Sequence, residues 1–447
     1  MNRRELLQRS AALAGPGALW PLTACGRGAG SGTQGQPAGE LAPPARIRRG
    51  AKVVWAVDEG PTRTPLRQDQ VQLFKAQFPD VEVELLAGGA SDMEKLQTAF
   101  AAGTPPDLFR QETPGFAFFA SRGQIAPLDA LMKRDKYDLA DFFPAAWELW
   151  RWKERYFGVP FLGIRIAYFN RDLVRQAGAS MPPASWKDPA WTWTTFLETC
   201  RTVRHAAGNR WACDLVSGTT RRDWQPWVWS NGGALFNQDG TKVLLAEPPA
   251  VEALEFLVDL VHKHRVAPTA DELQAMGGRR ALFQAGNLFL YHEPVNSIAA
   301  NRRGASFDWS LTGLPRGKGK TAVASGGGVG WFLAAPSTVK DETWELMKVL
   351  ASKDGVRLEA LRGEAPPSRR SVAAEPAFSN PSEPPGPDMK VVIEALEQMG
   401  LEPPLIEGVE IDRLLGEALG PAFQGQKPVR EAVAQAVPRI QPLLNPA

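Results

Sequence analysis

Residues 156–178 read YFGVPFLGIRIAYFNRDLVRQAG, and this stretch decides how the chain is organised. The run 157–169 is apolar and rich in branched and aromatic residues, yet it contains Pro160 and Gly163. Proline removes a ladder donor and glycine weakens a strand interior, so one regular strand does not carry both. The pattern predicts two strand segments joined by a bend, then a helix that starts at Arg171 and stops at Gly178. Such a chain is leaving one packed body and entering another.

Towards the N-terminus, residues 52–57 (KVVWAV) predict a buried first strand. Thr64 offers a helix cap with Pro65 in the first turn, and Leu66, Val71, Phe74 and Phe78 form an apolar stripe ending at Pro79. Residues 81–85 alternate with period two, and Ser91 with Glu94 forms a capping box for a helix that Gly103 and Pro105 stop. Asp107, Leu108 and Phe109 begin another strand. Strand–helix–strand–helix–strand predicts a parallel sheet with helices on both faces. Towards the C-terminus, residues 193–204 are helical, with Thr192 or Thr194 as cap. Asp239-Gly240 marks a hairpin. Residues 249–265 form the clearest helix, with Val251, Leu254, Val258 and Val261 on its buried face and Leu257 beside them. Residues 308–314 add a strand and 341–353 a helix. A Pro-rich excursion at 376–387 precedes helical material to the end. No internal repeat is evident.

Several of these stretches carry a resemblance. YFGVPF…YFNRDL…AG resembles the middle of an extracellular solute-binding protein of the ABC-importer type, in the group that includes maltose-binding protein. KLQTAFAAGTPPDLF (95–109), NGGALFNQDGTKVLLAEPPAVEALEFLVDLV (231–261), LFQAGNLFLYHEP (282–294) and SGGGVGWFL (325–333) are similar to further parts of it. EAPPSRRS (364–371) looks like the family's late loop near the cleft. The resemblance covers roughly residues 50–440 and implies an α/β, two-lobed periplasmic binding protein fold with three interlobe crossovers and a ligand cleft between the lobes. The expected division is 51–166 plus 287–333 for the first lobe, and 167–286 plus 334–447 for the second. Crossings are expected near Ile164 to Tyr168, Asn287 to Tyr291 and Gly330 to Leu333, with 281–291 holding the return strand into the first lobe.

The N-terminus is an address. Asn2-Arg3-Arg4 ahead of a modestly apolar stretch looks like a twin-arginine export signal, and residues 11–22 are too short and too rich in Gly and Pro to span a bilayer permanently. Leu22-Thr23-Ala24-Cys25 looks like a lipobox, which implies lipidation at Cys25 and attachment to the outer face of the cytoplasmic membrane. Residues 26–50 carry the composition of a flexible tether. Export permits a disulfide between Cys200 and Cys213, but sequence alone fixes no distance between them.

Composition is that of an ordinary globular protein, with 44% hydrophobic and 22% charged residues. A formal net charge of +2 gives no global reason to expect nucleic acid. Ten of the 15 tryptophans fall between Trp147 and Trp229. An indole suits both a packed core and a sugar-stacking platform. Catalytic and cofactor motifs fail in turn. GLPRGKGKT (313–321) has Leu314 where a Walker loop needs glycine, and the Gly326–Gly328 run lacks the strand and acidic residue of a dinucleotide fingerprint. There is no Gly-x-Ser-x-Gly elbow, no HExxH and no calcium loop. Neither a cofactor nor a metal is therefore expected.

Together these readings predict a non-catalytic monomeric receptor that delivers a small polar solute, in the first place a sugar, to the permease subunits of an ABC importer. The alternatives are a receptor for a non-sugar polar solute, or an exported carbohydrate-active enzyme with a carboxylate pair. In the first lobe, Glu59, Arg110 and Glu112 follow the carboxyl ends of parallel strands, where open α/β sheets bind ligands. Arg165 lies in the crossover itself. On the resemblance, Asp223, Trp224 and Trp227 occupy the loop placed over the sugar. Glu293 stands where the family has a Gly-Pro-Trp-like element, Trp331 is a candidate replacement platform, and Arg369 sits in the late loop.

Overall fold

The two strands expected within residues 157–169 form, and they belong to different sheets. This is a computed structural model, and it describes residues 47–444 apart from 61–62, 90, 207, 209, 216–219, 320–323, 325–326 and 380. The export signal, Cys25 and most of the expected tether lie outside those residues. Its last part is not free: Arg48 donates through its backbone N–H (2.9 Å) and Nε (3.2 Å) to Glu342, and the Gly50 N–H donates to the Asp80 carbonyl.

The chain opens with β1 (Lys52–Val57), β2 (Glu82–Ala87) and β3 (Leu108–Glu112). A small hairpin, β4 (Arg151–Trp152) with β5 (Arg155–Tyr156), leads into β6 (Gly158–Leu162) and β7 (Arg165–Asn170). Then follow β8 (Trp211–Asp214), β9 (Leu288–Pro294), β10 (Trp309–Thr312) and β11 (Gly328–Leu333). The first sheet has the order β2-β1-β3-β11-β6, parallel among the first three as expected, while β11 runs antiparallel to both β3 and β6. The second sheet is β10-β7-β9-β8. Pro160 is tolerated because β6 is an edge strand, where a missing N–H breaks no ladder. Gly163 and Ile164 make the bend, and the Gly163 N–H donates to the Gly327 carbonyl at 3.1 Å. The helix Arg171–Ala177 then starts on Asn170, whose side chain accepts from the Leu173 N–H, and ends on Gly178 at φ 62°.

Strand pairing corrects the expected division of the lobes. β9 pairs with β7 and β8, and β10 pairs with β7, so the return strand belongs to the second sheet and not the first. β11 lies inside the first sheet rather than at a crossing. The helices Lys340–Leu350 and Lys353–Leu361 pack on the helix Arg63–Gln77 of the first lobe. Arg67, 2% exposed, binds Gln70 (2.6 Å) and lies 3.6 Å from Glu359 on the docked helix. The chain therefore passes between sheets at 163–164, returns between 313 and 327, and leaves again after the helix Lys353–Leu361. The later helices Gly408–Phe423 and Val429–Ile440 pack on the helix Pro248–His262 of the second lobe.

Candidate functional site

A cavity of about 240 Å³ opens where the chain passes from one sheet to the other. Phe161, Leu162, Gly163 and Ile164 line it along with Gly328. The first lobe adds Arg63, Arg110, Glu112 and Glu364, and the second adds Arg222, Val295 and Asn296.

Arg110 and Glu112 alternate along β3, so they share one face at the carboxyl end of a parallel strand. Asp58, directly after β1, forms ion pairs with both Arg110 and Arg63, the latter at 3.3 Å. Arg63 also reaches Glu364 at 3.4 Å. Arg110 is 7% exposed, and its Nε finds no hydrogen-bond partner among the described residues. Burial lowers the Arg110 pKa; Asp58 works against that, and the neighbouring Arg63 adds to it. From the opposite lobe, Arg222 Nη2 contacts Glu112 Oε2 at 3.2 Å. Arg222 is the second residue of the helix Arg221–Ser230 and lies close over Gly327, where a Cβ would come within 3.4 Å of its Nε.

Behind the second-lobe wall lies a separate charge cluster. Arg165 pairs with Asp223 at 3.0 Å, and Arg279 lies 2.9 Å from Asp214, 3.5 Å from Asp223 and 3.8 Å from Glu293. Arg280 holds Glu293 at 2.9 Å. Burial raises the Asp223 pKa against the pull of Arg279 and Arg165. The same burial would lower Arg279, but three carboxylates outweigh it and raise the pKa. Fully buried His292 is pushed well below the ordinary imidazole value, so it is neutral between these arginines. Breaking one member of such a buried network costs about 3–5 kcal/mol. Arg165, Asp223 and Glu293, expected on the ligand, are instead held by this network.

The tryptophan platforms are also corrected. Residues 223–230 form part of a helix rather than a loop, and Trp224 and Trp227 are both 0% exposed. Trp227 lies 5.9 Å from Phe196 and 5.8 Å from Phe256, ring to ring, in the second-lobe core. Trp331 is 1% exposed, stands 5.0 Å from Trp55, and is covered by the Arg67 guanidinium at 4.7 Å. An indole at these positions contributes burial, not an open face. The half-buried Trp152 does line a groove, of about 610 Å³, with Glu148, Arg151, Leu401 and Pro403.

Of the remaining expected residues, Glu59 is exposed and does not line the cavity; its neighbour Asp58 makes the contacts. Arg369 is a staple elsewhere, donating to the Ala351 carbonyl (2.7 Å), pairing with Asp141 (3.1 Å) and stacking on Phe142. Arg110 and Glu112 are the two expected residues that the cavity brings together. Asp58, Arg63, Arg222 and Glu364 were not singled out. Glu364 sits in the late loop where Arg369 was preferred, and Arg222 adjoins Asp223. Cys200 and Cys213 are both buried free thiols, with Cys200 pushed up by burial and by its neighbour Cys213.

The profile of the family described as bacterial extracellular solute-binding protein matches residues 60–357. The maltotriose-binding protein of Pyrococcus abyssi is 24% identical over 312 residues, covering 68% of this chain and 63% of that protein. The chain spans about three fifths of the length of the curated relatives it matches. Among solved structures, the sugar-binding protein MalE of Xanthomonas citri superimposes with a TM-score of 0.76 at 20% identity, covering 88% of this chain and 97% of that one. UgpB of Mycobacterium tuberculosis, in complex with glycerophosphocholine, superimposes with a TM-score of 0.72 at 20% identity, covering 88% and 98%. At these identities the structures establish the two-lobed fold.

Proposed function

The chain belongs to the bacterial extracellular solute-binding protein family, and from that premise we propose that it is a receptor that closes its two lobes on a sugar-class solute and hands it to an ABC importer. The observation that carries this reading is the cavity at the passage between the sheets, where Arg110 and Glu112 of one lobe face Arg222 of the other. A solute touching both walls stabilises the state in which they are close, so binding shifts the population towards closure. The maltotriose-binding relative and the sugar-binding neighbour support a sugar, while the glycerophosphocholine complex extends the fold's range to charged solutes.

Leu22-Thr23-Ala24-Cys25 behind Arg3-Arg4 supports an exported receptor anchored through a lipid on Cys25. Two measurements test the proposal. X-ray scattering with a saturating solute is expected to give a smaller radius of gyration than without it; tight binding with superimposable profiles would contradict closure. Cys25→Ala is expected to appear as soluble or unprocessed protein, whereas a variant still tethered and cut at the same bond would remove the lipobox.

A further inference from the structure

The charges around the cavity specify more than a polar ligand. Three guanidinium groups converge on it, Arg63 and Arg110 from the first lobe and Arg222 from the second. Asp58 is shared between Arg63 and Arg110, and Glu364 also answers Arg63 at 3.4 Å, so Arg110 is the one of the two that has no carboxylate to itself. Arg110 is the more telling of the pair, since it is more than nine-tenths buried and its Nε is unpartnered among the described residues. A buried N–H without an acceptor is costly, so this guanidinium, whose Nη1 already holds Asp58, has capacity for a further acceptor. Asn296, also on the cavity wall, precedes the helix Ser297–Gly304 and makes no side-chain cap, so that helix begins at the wall with its N-terminal end uncapped by Asn296. Among the described residues no tryptophan lines the cavity, and its aromatic lining residue Phe161 is 8% exposed, so little ring face is offered to a neutral sugar. The volume of about 240 Å³ falls below the ~300–1,000 Å³ of drug-sized ligand sites, so the occupant is small.

We propose that the solute carries an anionic group, a carboxylate or a phosphate ester, on a body about the size of one sugar ring, and that Arg110 and Arg222 close on that group from opposite lobes. This rests on the cleft being the solute site. Guanidinium presents paired N–H donors that match the two oxygens of a carboxylate or phosphate. In the structure Arg222 is occupied by Glu112, whose side chain is 49% exposed and can swing out to solvent. The ligand anion takes the place of Glu112 on Arg222, and the exchange couples binding to the contact between lobes.

Calorimetric titration of the mature protein separates the outcomes. The panel is glucuronate, galacturonate, glucose 6-phosphate and glycerol 3-phosphate, set against glucose, galactose, maltose, maltotriose and glucosamine. At least one anion is expected to bind tenfold or more tightly than its neutral counterpart, the uronates or the phosphate esters identifying which anion is taken. Arg222→Gln is expected to weaken that anion at least tenfold. Glu112→Gln is expected to tighten it, because a competitor for Arg222 is gone; a merely structural Glu112 would give loss instead. Neutral sugars binding while all anions fail leaves the receptor standing and overturns this inference, as does glucosamine alone. Failure of the whole panel on folded protein overturns both.

Discussion

Glu359 is a residue through which pH reaches the first-lobe interior. It is fully enclosed between Arg67 and Gln70, and burial pushes its pKa up to about 7 from 4.5, against the opposing charge of Arg67. Burial likewise lowers Arg67, to about 10. A carboxyl whose folded pKa is raised holds a proton that the unfolded chain gives up, so its contribution to stability is present below pH 4.5 and is lost as pH rises towards about 7. Glu402, also pushed up to about 7 by burial, acts in the same direction in the second lobe. Thermal unfolding is therefore expected to show stability falling across that window, with a shallower fall in Glu359→Gln. Parallel slopes for the two proteins would mean that Glu359 is ionised in the fold. At this scale the sequence told little. A strand-borne tryptophan such as Trp331 has the same chemistry whether it packs inward or stacks on a ligand, and only the sheet's other face decides. The alternation of Arg110 and Glu112 at a strand's carboxyl end was informative because geometry fixes where that end points.

Elements were more legible where local chemistry alone sets their limits. Pro160 and Gly163 broke the apolar run, and the next helix starts at Arg171 and stops at Gly178 where the sequence put its ends, with Asn170 as the cap that the structure adds. The helix expected from a Ser91 capping box is instead capped by Asp92, whose side chain accepts from the Glu94 and Lys95 N–H groups. The larger errors concern partners rather than types. LFLYHEP is apolar enough to be buried on both faces, so nothing in it distinguishes a place beside β7 from one beside β11. The resemblance implies a loop at Asp223, Trp224 and Trp227, yet a helix persists there with Pro226 inside it and turns both tryptophans into the core. Arg222, in the first turn of the same helix, is thereby left facing the other lobe.

For the whole molecule, the proposed hinge lies where the chain passes between the two sheets, and the charged residues divide into two roles around it. Arg165, Asp223, Arg279 and Glu293 neutralise one another behind the second-lobe wall and fix its shape. Arg63, Arg110 and Arg222 face the gap. The fold and the general position of the cleft were legible because motif order along the chain specifies them. The lobe boundaries and most ligand candidates were not, because they depend on pairings more than a hundred residues apart, such as Arg222 with Glu112. The most direct test is a crystal structure of the protein with the tightest-binding solute of the titration panel. The solute is expected between the lobes, touching Arg110 on one side and Arg222 on the other. Density for it on one lobe alone, or in the groove beside Trp152, would contradict the account.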